Sequence, residues 1–132
     1  FDPHVIAEWG KADVARLLAD PGIIRHRGKI EATITNARAY LEVNAQEGFD
    51  TFLWNYFDGM PLQNHWATQG DVPPFTPLSA QISKDMKKRG FKFCGPTIVY
   101  AFLEATGLVN DHIITCHRHA ECAAMARPPK GR

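Results

Sequence analysis

Between Ala39 and Ser83 the chain carries neither lysine nor arginine, while Glu42, Glu47, Asp50, Asp58 and Asp71 make the stretch acidic. Cysteine is scarce as well: three in 132 residues, Cys94, Cys116 and Cys122, all in the last third. An odd, clustered set does not make the disulfide framework of a small secreted domain; it suits thiols in a reducing compartment, or a metal. No run approaches the ~20 apolar residues of a membrane helix. The opening FDPHVIAEWG lacks the basic start and apolar centre of a signal peptide. These absences predict a cytoplasmic protein with no membrane association. The first residue is Phe1 rather than methionine, which predicts that the chain is a piece of a longer protein.

What is present describes a folded chain. Hydrophobic residues make up 45% and charged residues 22%, with 15 basic against 14 acidic side chains, which excludes a disordered tail or a collagen-like repeat. A chain of this length makes one domain, residues 1–132, and needs no covalent staples to hold a core. The near-neutral total hides segregation. Arg25, His26, Arg27 and Lys29 form one basic cluster, and Lys84, Lys87, Lys88, Arg89 and Lys92 form another, opposed only by Asp85.

The elements read as almost wholly helical. Asp2 before Pro3 starts a helix that Gly10 ends, and a second covers about 13–19, stopped by Asp20, Pro21 and Gly22. A long helix over about 26–47 places Ile30, Ile34, Ala37 and Leu41 on one face. After Gly48, Asp50 caps a short aromatic helix through Phe57. Residues 58–77, with four prolines and no periodicity, read as a long loop pinned by Trp66 and Phe75. Thr76 and Pro77 start a helix that buries Leu78, Ile82 and Met86 and leaves its lysines outside; Gly90 ends it. Pro96 opens an apolar helix that Gly107 closes, ahead of a last helix capped by Asn110 or Asp111.

The helix, turn and helix over 84–106 carry the sharpest chemical signal. Gly90 allows a positive φ, so the chain can bend sharply and aim successive amides outward. Those amides, the helix start at Pro96 and the charges of Arg89 and Lys92 would together form an anion site suited to phosphate. The plainer alternative is a helical hairpin with a solvated lysine face.

The segments GIIRHRGKI at 22–30, KKRGFKFCGPTIVYAF at 87–102 and GLVNDH at 107–112 resemble the DNA-3-methyladenine glycosylase I family, and the similarity runs over nearly the whole chain. The resemblance implies an all-α, helix-hairpin-helix DNA glycosylase domain that hydrolyses the N-glycosidic bond of 3-methyladenine in alkylated duplex DNA, acting as a monomer. The hairpin would be 89–96, gripping backbone through Arg89, Gly90, Phe91, Lys92, Gly95 and Thr97, with Arg25, Arg27 and Lys29 beside it. Lys92 stands where the wider superfamily usually has a second glycine. That superfamily also tends to carry a catalytic aspartate beyond the hairpin; Asp111 is the nearest, and a capping role explains it better. No catalytic residue is assigned, because the family's base-contacting glutamate and most of its pocket aromatics lie upstream of this segment. Lys92 is read as a backbone contact rather than a Schiff-base nucleophile, since the family resembles a monofunctional hydrolase.

The tail over 110–122 concentrates His112, Cys116, His117, His119 and Cys122. On a helix, His112 and Cys116 would leave the same face, and imidazole with thiolate favours zinc; a His-rich tail without metal is the alternative. The resemblance implies a structural zinc bound by His112, Cys116 and one cysteine and one histidine from the absent N-terminal part. His119 and Cys122 are possible substitutes. Trp9, Trp54, Tyr56, Trp66 and Tyr100 are read as core, Cys94 as a buried apolar residue, and His26 as either a phosphate contact or a solvated helix start. Two readings compete with the enzyme: a truncated, non-catalytic DNA-binding module, and a zinc-stabilised interaction domain using the acidic 39–83 face.

Overall fold

Asp2 accepts the His4 amide at 2.9 Å and Pro3 takes the first helical position, so α1 (Pro3–Ala7) begins where its sequence favours it. The computed structural model describes residues 1–127. Among them are seven α-helices, one short 3-10 turn and two two-residue strands. Where one helical domain is expected, the chain divides into two compact units, Phe1–Phe49 with Asp85–Cys94, and Asp50–Lys84 with the chain from Gly95 onward.

In the first unit, α2 (Lys11–Ala19) starts two residues earlier than expected, because the Asp13 carboxylate reaches back to the Gly10 amide at 3.1 Å. After an Asx turn in which the Gly22 amide donates to Asp20 Oδ1 at 2.8 Å, α3 runs over Arg27–Gln46. Ile30, Ile34 and Ala37 meet Ile6, Ala7 and Val14 in one cluster, with Trp9, Leu17, Leu18 and Leu41 partly buried against it. The Arg38 guanidinium donates to the carbonyls of Ala7 at 2.8 Å and Trp9 at 3.3 Å, satisfying acceptors that the end of α1 leaves open. A second row on α3, Ala32, Ala39 and Val43, is also buried.

In the second unit the short helix is α4 (Phe49–Trp54), with Asp50 inside its first turn rather than capping it. The expected loop over 58–77 contains β1 (Leu62–Gln63), which pairs in parallel with β2 (Val109–Asn110). A two-residue strand has no period to read, so only the tertiary contact reveals it. Trp66 anchors this loop through its indole N–H, whereas Phe75 is exposed. Thr76 and Ser79 exchange backbone and hydroxyl hydrogen bonds of 3.0–3.1 Å ahead of α5 (Pro77–Lys88). On α5, Ile82, Met86, Ser79 and Ser83 are buried, while Leu78 is half-buried.

Helix α6 (Pro96–Ala105) buries Val99, Tyr100 and Leu103. The last helix, α7 (His117–Met125), starts with Cys116 at its N-cap, later than the expected cap at Asn110 or Asp111. Those two residues are drawn into β2 and the contacts beyond it. No helix among the described residues is long and apolar enough to cross a membrane.

Leu103 has no exposed surface, so Leu103→Ala removes buried methyl groups and leaves a cavity. The expected loss is about 2–5 kcal/mol in urea unfolding at constant m-value; a loss below about 1 kcal/mol would contradict this burial.

Candidate nucleic-acid interface

The turn after α5 is a Schellman closure. Gly90 takes φ +90° and donates its amide to Lys87 O at 3.0 Å, while the Phe91 amide donates to Met86 O at 3.1 Å. The apolar pair that accompanies this motif is Met86 with Phe91, and Phe91 is only 7% exposed. A side chain on Gly90 would come within 3.9 Å of the Ala39 methyl. Phe49 lies against Phe91 with ring centroids 5.9 Å apart, and against Tyr40 at 5.2 Å.

This overturns one expectation. The amides of Gly90, Phe91 and Lys92 do not point outward as a phosphate nest, and Phe91 is core rather than a DNA contact. Helix termination uses the first two amides, and Asn36 of α3 uses the third: the Lys92 amide donates to Asn36 Oδ1 at 2.8 Å, and Asn36 Nδ2 donates to Lys92 O at 3.0 Å. Arg89 is exposed but lies along the end of α3, donating to Gln46 Oε1 at 3.0 Å and pairing with Glu47 at 2.6 Å. The R-G-F order, a glycine one residue past the helix end followed by an apolar residue, is the signal that would have placed Phe91 inside.

What remains outward is a set of cations and one aromatic ring. Lys92, Arg25 and Lys29 are exposed and have no ion-pair partner among the described residues; Arg27 pairs loosely with Glu31 at 3.5 Å. Phe93 is 50% exposed and holds φ +53°, a left-handed conformation that costs a non-glycine residue about 1–2 kcal/mol. Its ring meets His26 edge-to-face, with centroids 6.0 Å apart. His26 caps α3 by accepting the Lys29 amide on Nδ1 at 3.1 Å, so the neutral ring carries its proton on Nε2. Contact between Phe93 and His26, 67 positions apart in sequence, therefore brings Lys92 to the first basic cluster. In the second unit, Gly95 is the N-cap of α6 and Thr97 lies in its exposed first turn.

The second unit is organised around Asp111. Its carboxylate accepts from Asn64 Nδ2 at 2.6 Å, Trp66 Nε1 at 2.7 Å and the Tyr100 hydroxyl. Burial pushes this carboxyl up, but the three donors outweigh it and hold Asp111 below the usual carboxylate range. Asp111 is thus neither the helix cap expected of it nor a free carboxylate. Glu104, at the solvent rim beside it, is pushed up to about 7 by partial burial and by its contact with the Asp111 carboxylate. Burial and Asp111 also raise the Tyr100 hydroxyl far above its ordinary value.

Glu104 and Asp111 line a cleft of about 780 Å³ together with His112, Cys116 and Cys122. Asn110, 6% exposed, also lines it; its Nδ2 donates to Gln63 Oε1 at 2.8 Å and His119 O at 3.0 Å, while its Oδ1 has no partner.

His112 Nδ1 and Cys116 Sγ lie 3.7 Å apart. A tetrahedral zinc, at about 2.0 Å from nitrogen and 2.3 Å from sulfur, holds such a pair about 3.5 Å apart. A turn closed by the Cys116 amide on Ile113 O at 2.9 Å brings them together, not the helix face expected, because α7 begins only at His117. His119 Nε2 lies 2.7 Å from Asn64 O and its ring packs on His65. Among the described residues no group of three or more histidine, cysteine or acidic side chains could hold a metal.

A family model described as methyladenine glycosylase matches residues 1–119. The chain belongs to this family. Among its relatives, the DNA-3-methyladenine glycosylase 1 of Escherichia coli (strain K12) is 49% identical over 117 residues, 88% of this chain and 63% of that protein. The DNA-3-methyladenine glycosylase of Haemophilus influenzae is 41% identical over the same shares. A crystal structure of 3-methyladenine DNA glycosylase I, 50% identical, superposes with a TM-score of 0.86 over 89% of this chain and 65% of that one. The Staphylococcus aureus enzyme, in a structure describing its recognition of 3-methyladenine, superposes at 0.85 with 37% identity, over 89% and 63%. This methyladenine glycosylase family member therefore spans a little under two thirds of the relatives' length. Its helical fold is that of these neighbours.

The raised Glu104 carboxyl favours folding when protonated, so that contribution is complete below about 4.5 and fades as pH rises through about 7. Rim water screens the pair, so the effect is a fraction of what the shift alone implies. Glu104→Gln keeps a neutral group there. Its stability relative to the parent should therefore rise between pH 5 and 8 in urea titrations; an unchanged difference across that window would refute the assignment.

Proposed function

We propose that this chain is the DNA-gripping part of a bacterial DNA-3-methyladenine glycosylase, which hydrolyses the bond between deoxyribose and 3-methyladenine in alkylated duplex DNA. The observation that carries the reading is the joining, by the Phe93–His26 contact, of Lys92 to the cluster of Arg25, Arg27 and Lys29. Family membership and 49% identity to a named DNA-3-methyladenine glycosylase support the same reading. Exposed cations beside a fixed turn suit the evenly spaced phosphates of one strand, which position a protein without reading sequence. Gly95 and Thr97 at the start of α6 are the remaining contacts proposed from the resemblance, and Arg89 contributes only through the charge that its pairing with Glu47 leaves over.

The chemistry asked of the complete protein is modest. The damaged nucleotide is turned out of the stack into a pocket. Water bonds to the anomeric carbon and gives up a proton to solvent, while the bond to the base breaks and its electron pair neutralises the cationic methylated ring. The protein captures that ring and supports positive charge developing on the sugar. The glutamate and aromatics that the resemblance assigns to the pocket belong to the part of the family fold this segment does not span. On that ground the second reading is a module that grips DNA without cutting it. We further propose that the protein is monomeric and acts in the cytoplasm.

Zinc belongs to the same proposal. The His112–Cys116 separation fits two corners of a tetrahedral site, with a cysteine and a histidine from the N-terminal part as the other two. Four protein ligands leave no open position, so the ion would tie chain segments together rather than activate water.

Full-length protein should release 3-methyladenine from alkylated DNA; binding without release selects the second reading. Lys92→Ala, Arg25→Ala and Arg27→Ala should each weaken all duplexes alike and reduce the slope of log affinity against log salt by about 1. Loss for one sequence only would mean base readout instead. Metal analysis should find zinc in the full-length protein and little in a His112→Ala, Cys116→Ala double variant; equal zinc in both would exclude this pair as ligands.

A further inference from the structure

We infer that Phe93 is itself a DNA-contacting residue, its ring resting on a deoxyribose of the strand whose phosphates the surrounding cations hold. The inference rests on the DNA-binding reading above and adds an apolar contact to it.

Three features of Phe93 converge. It is half-exposed at the outer end of the turn, next to Lys92 in the chain and in contact with His26, which stands between Arg25 and Arg27 in sequence. It holds a left-handed φ of +53°, a conformation glycine would adopt without penalty, and strain of this kind persists where surrounding structure enforces it, commonly at functional sites. Finally, the ring reaches the first turn of α3: a Cβ on Gly28 would stand at ordinary contact distance from Phe93 Cζ, 3.6 Å, and would crowd only His26 Cε1, at 3.1 Å. Asn36 bonds both backbone groups of Lys92 and so fixes where the next residue projects.

A surface for small anions needs charge and donors, not a large ring. An aromatic platform among lysines and arginines matches a nucleic-acid strand, whose sugars and bases offer apolar faces between charged phosphates. Ile24, 81% exposed, adds an apolar side chain next to Arg25 in the chain.

The test compares Phe93→Gly, Phe93→Leu and Lys92→Ala in the full-length protein, using a fluorescein-labelled duplex with one tetrahydrofuran abasic site, and heparin as a generic polyanion. Phe93→Gly should lower duplex affinity about tenfold. It should leave heparin affinity and the salt slope unchanged, because no charge is removed. It should leave Tm equal or higher, because the left-handed strain is relieved. Phe93→Leu should retain an intermediate affinity. If Phe93→Gly binds duplex like the parent while Lys92→Ala weakens it, this inference fails and the DNA-binding reading stands. If neither variant weakens duplex binding, both fail. A clear fall in Tm for Phe93→Gly would make the ring a structural prop and overturn the inference.

Discussion

The side-chain amide of Asn36 makes both backbone hydrogen bonds of Lys92, and the outward face of the first unit depends on that pair. A primary amide presents a donor and an acceptor in the same relation as a peptide group, so it completes the Lys92 backbone as a neighbouring strand would. Each bond is worth only about 1 kcal/mol net. Their joint effect is geometric, because two bonds to one residue leave little freedom to rotate. Arg89 on Gln46 and Glu47 near one end of α3, and Phe93 on His26 at the other, hold the same turn along the helix. A segment that leaves α5 through a Schellman closure is thereby laid along α3, with Phe91 inward and Lys92 and Phe93 outward.

The second unit solves a different problem, that of a carboxylate drawn partly out of water. Three donors from two segments, the loop after β1 and helix α6, converge on Asp111, so its charge is retained without a cationic partner. The same convergence ties Trp66 and Asn64 to α6 and aligns β1 with β2, which is why a proline-rich stretch without periodicity is ordered. Its neighbour Glu104 meets the consequence. Two carboxylates in contact do not ionise equally well, and the less well hydrogen-bonded one is raised.

Much of the fold was legible in the chain. Asp2–Pro3, Gly90, Pro96 and Gly107 mark helix boundaries through capping and backbone preference, which act within a few residues. The spacing of Ile30, Ile34 and Ala37 identified the buried face of α3 for the same local reason. Motifs in the turn and tail placed the chain in its family, and membership of that family carries the cationic surface and the His112–Cys116 pair as candidates. The amides of Gly90 and Phe91, expected to be free, are paired, and Asp111, expected to cap a helix, collects three donors instead, because what a polar group bonds to depends on what distant segments offer it.

That distinction separates the two levels. Local preference was enough to mark most helix boundaries, though not the start of α7, and to show which faces are apolar and which residue types sit in the turn, since each follows from neighbours three or four positions away. Long-range packing settles which amides remain available, that Phe93 meets His26, that Asn36 grips Lys92 and that Asp111 collects Asn64, Trp66 and Tyr100. Those partners stand as much as 67 positions apart, between His26 and Phe93, and no local preference encodes them. They form because buried or half-buried polar groups must find partners, and packing brings the partners within reach.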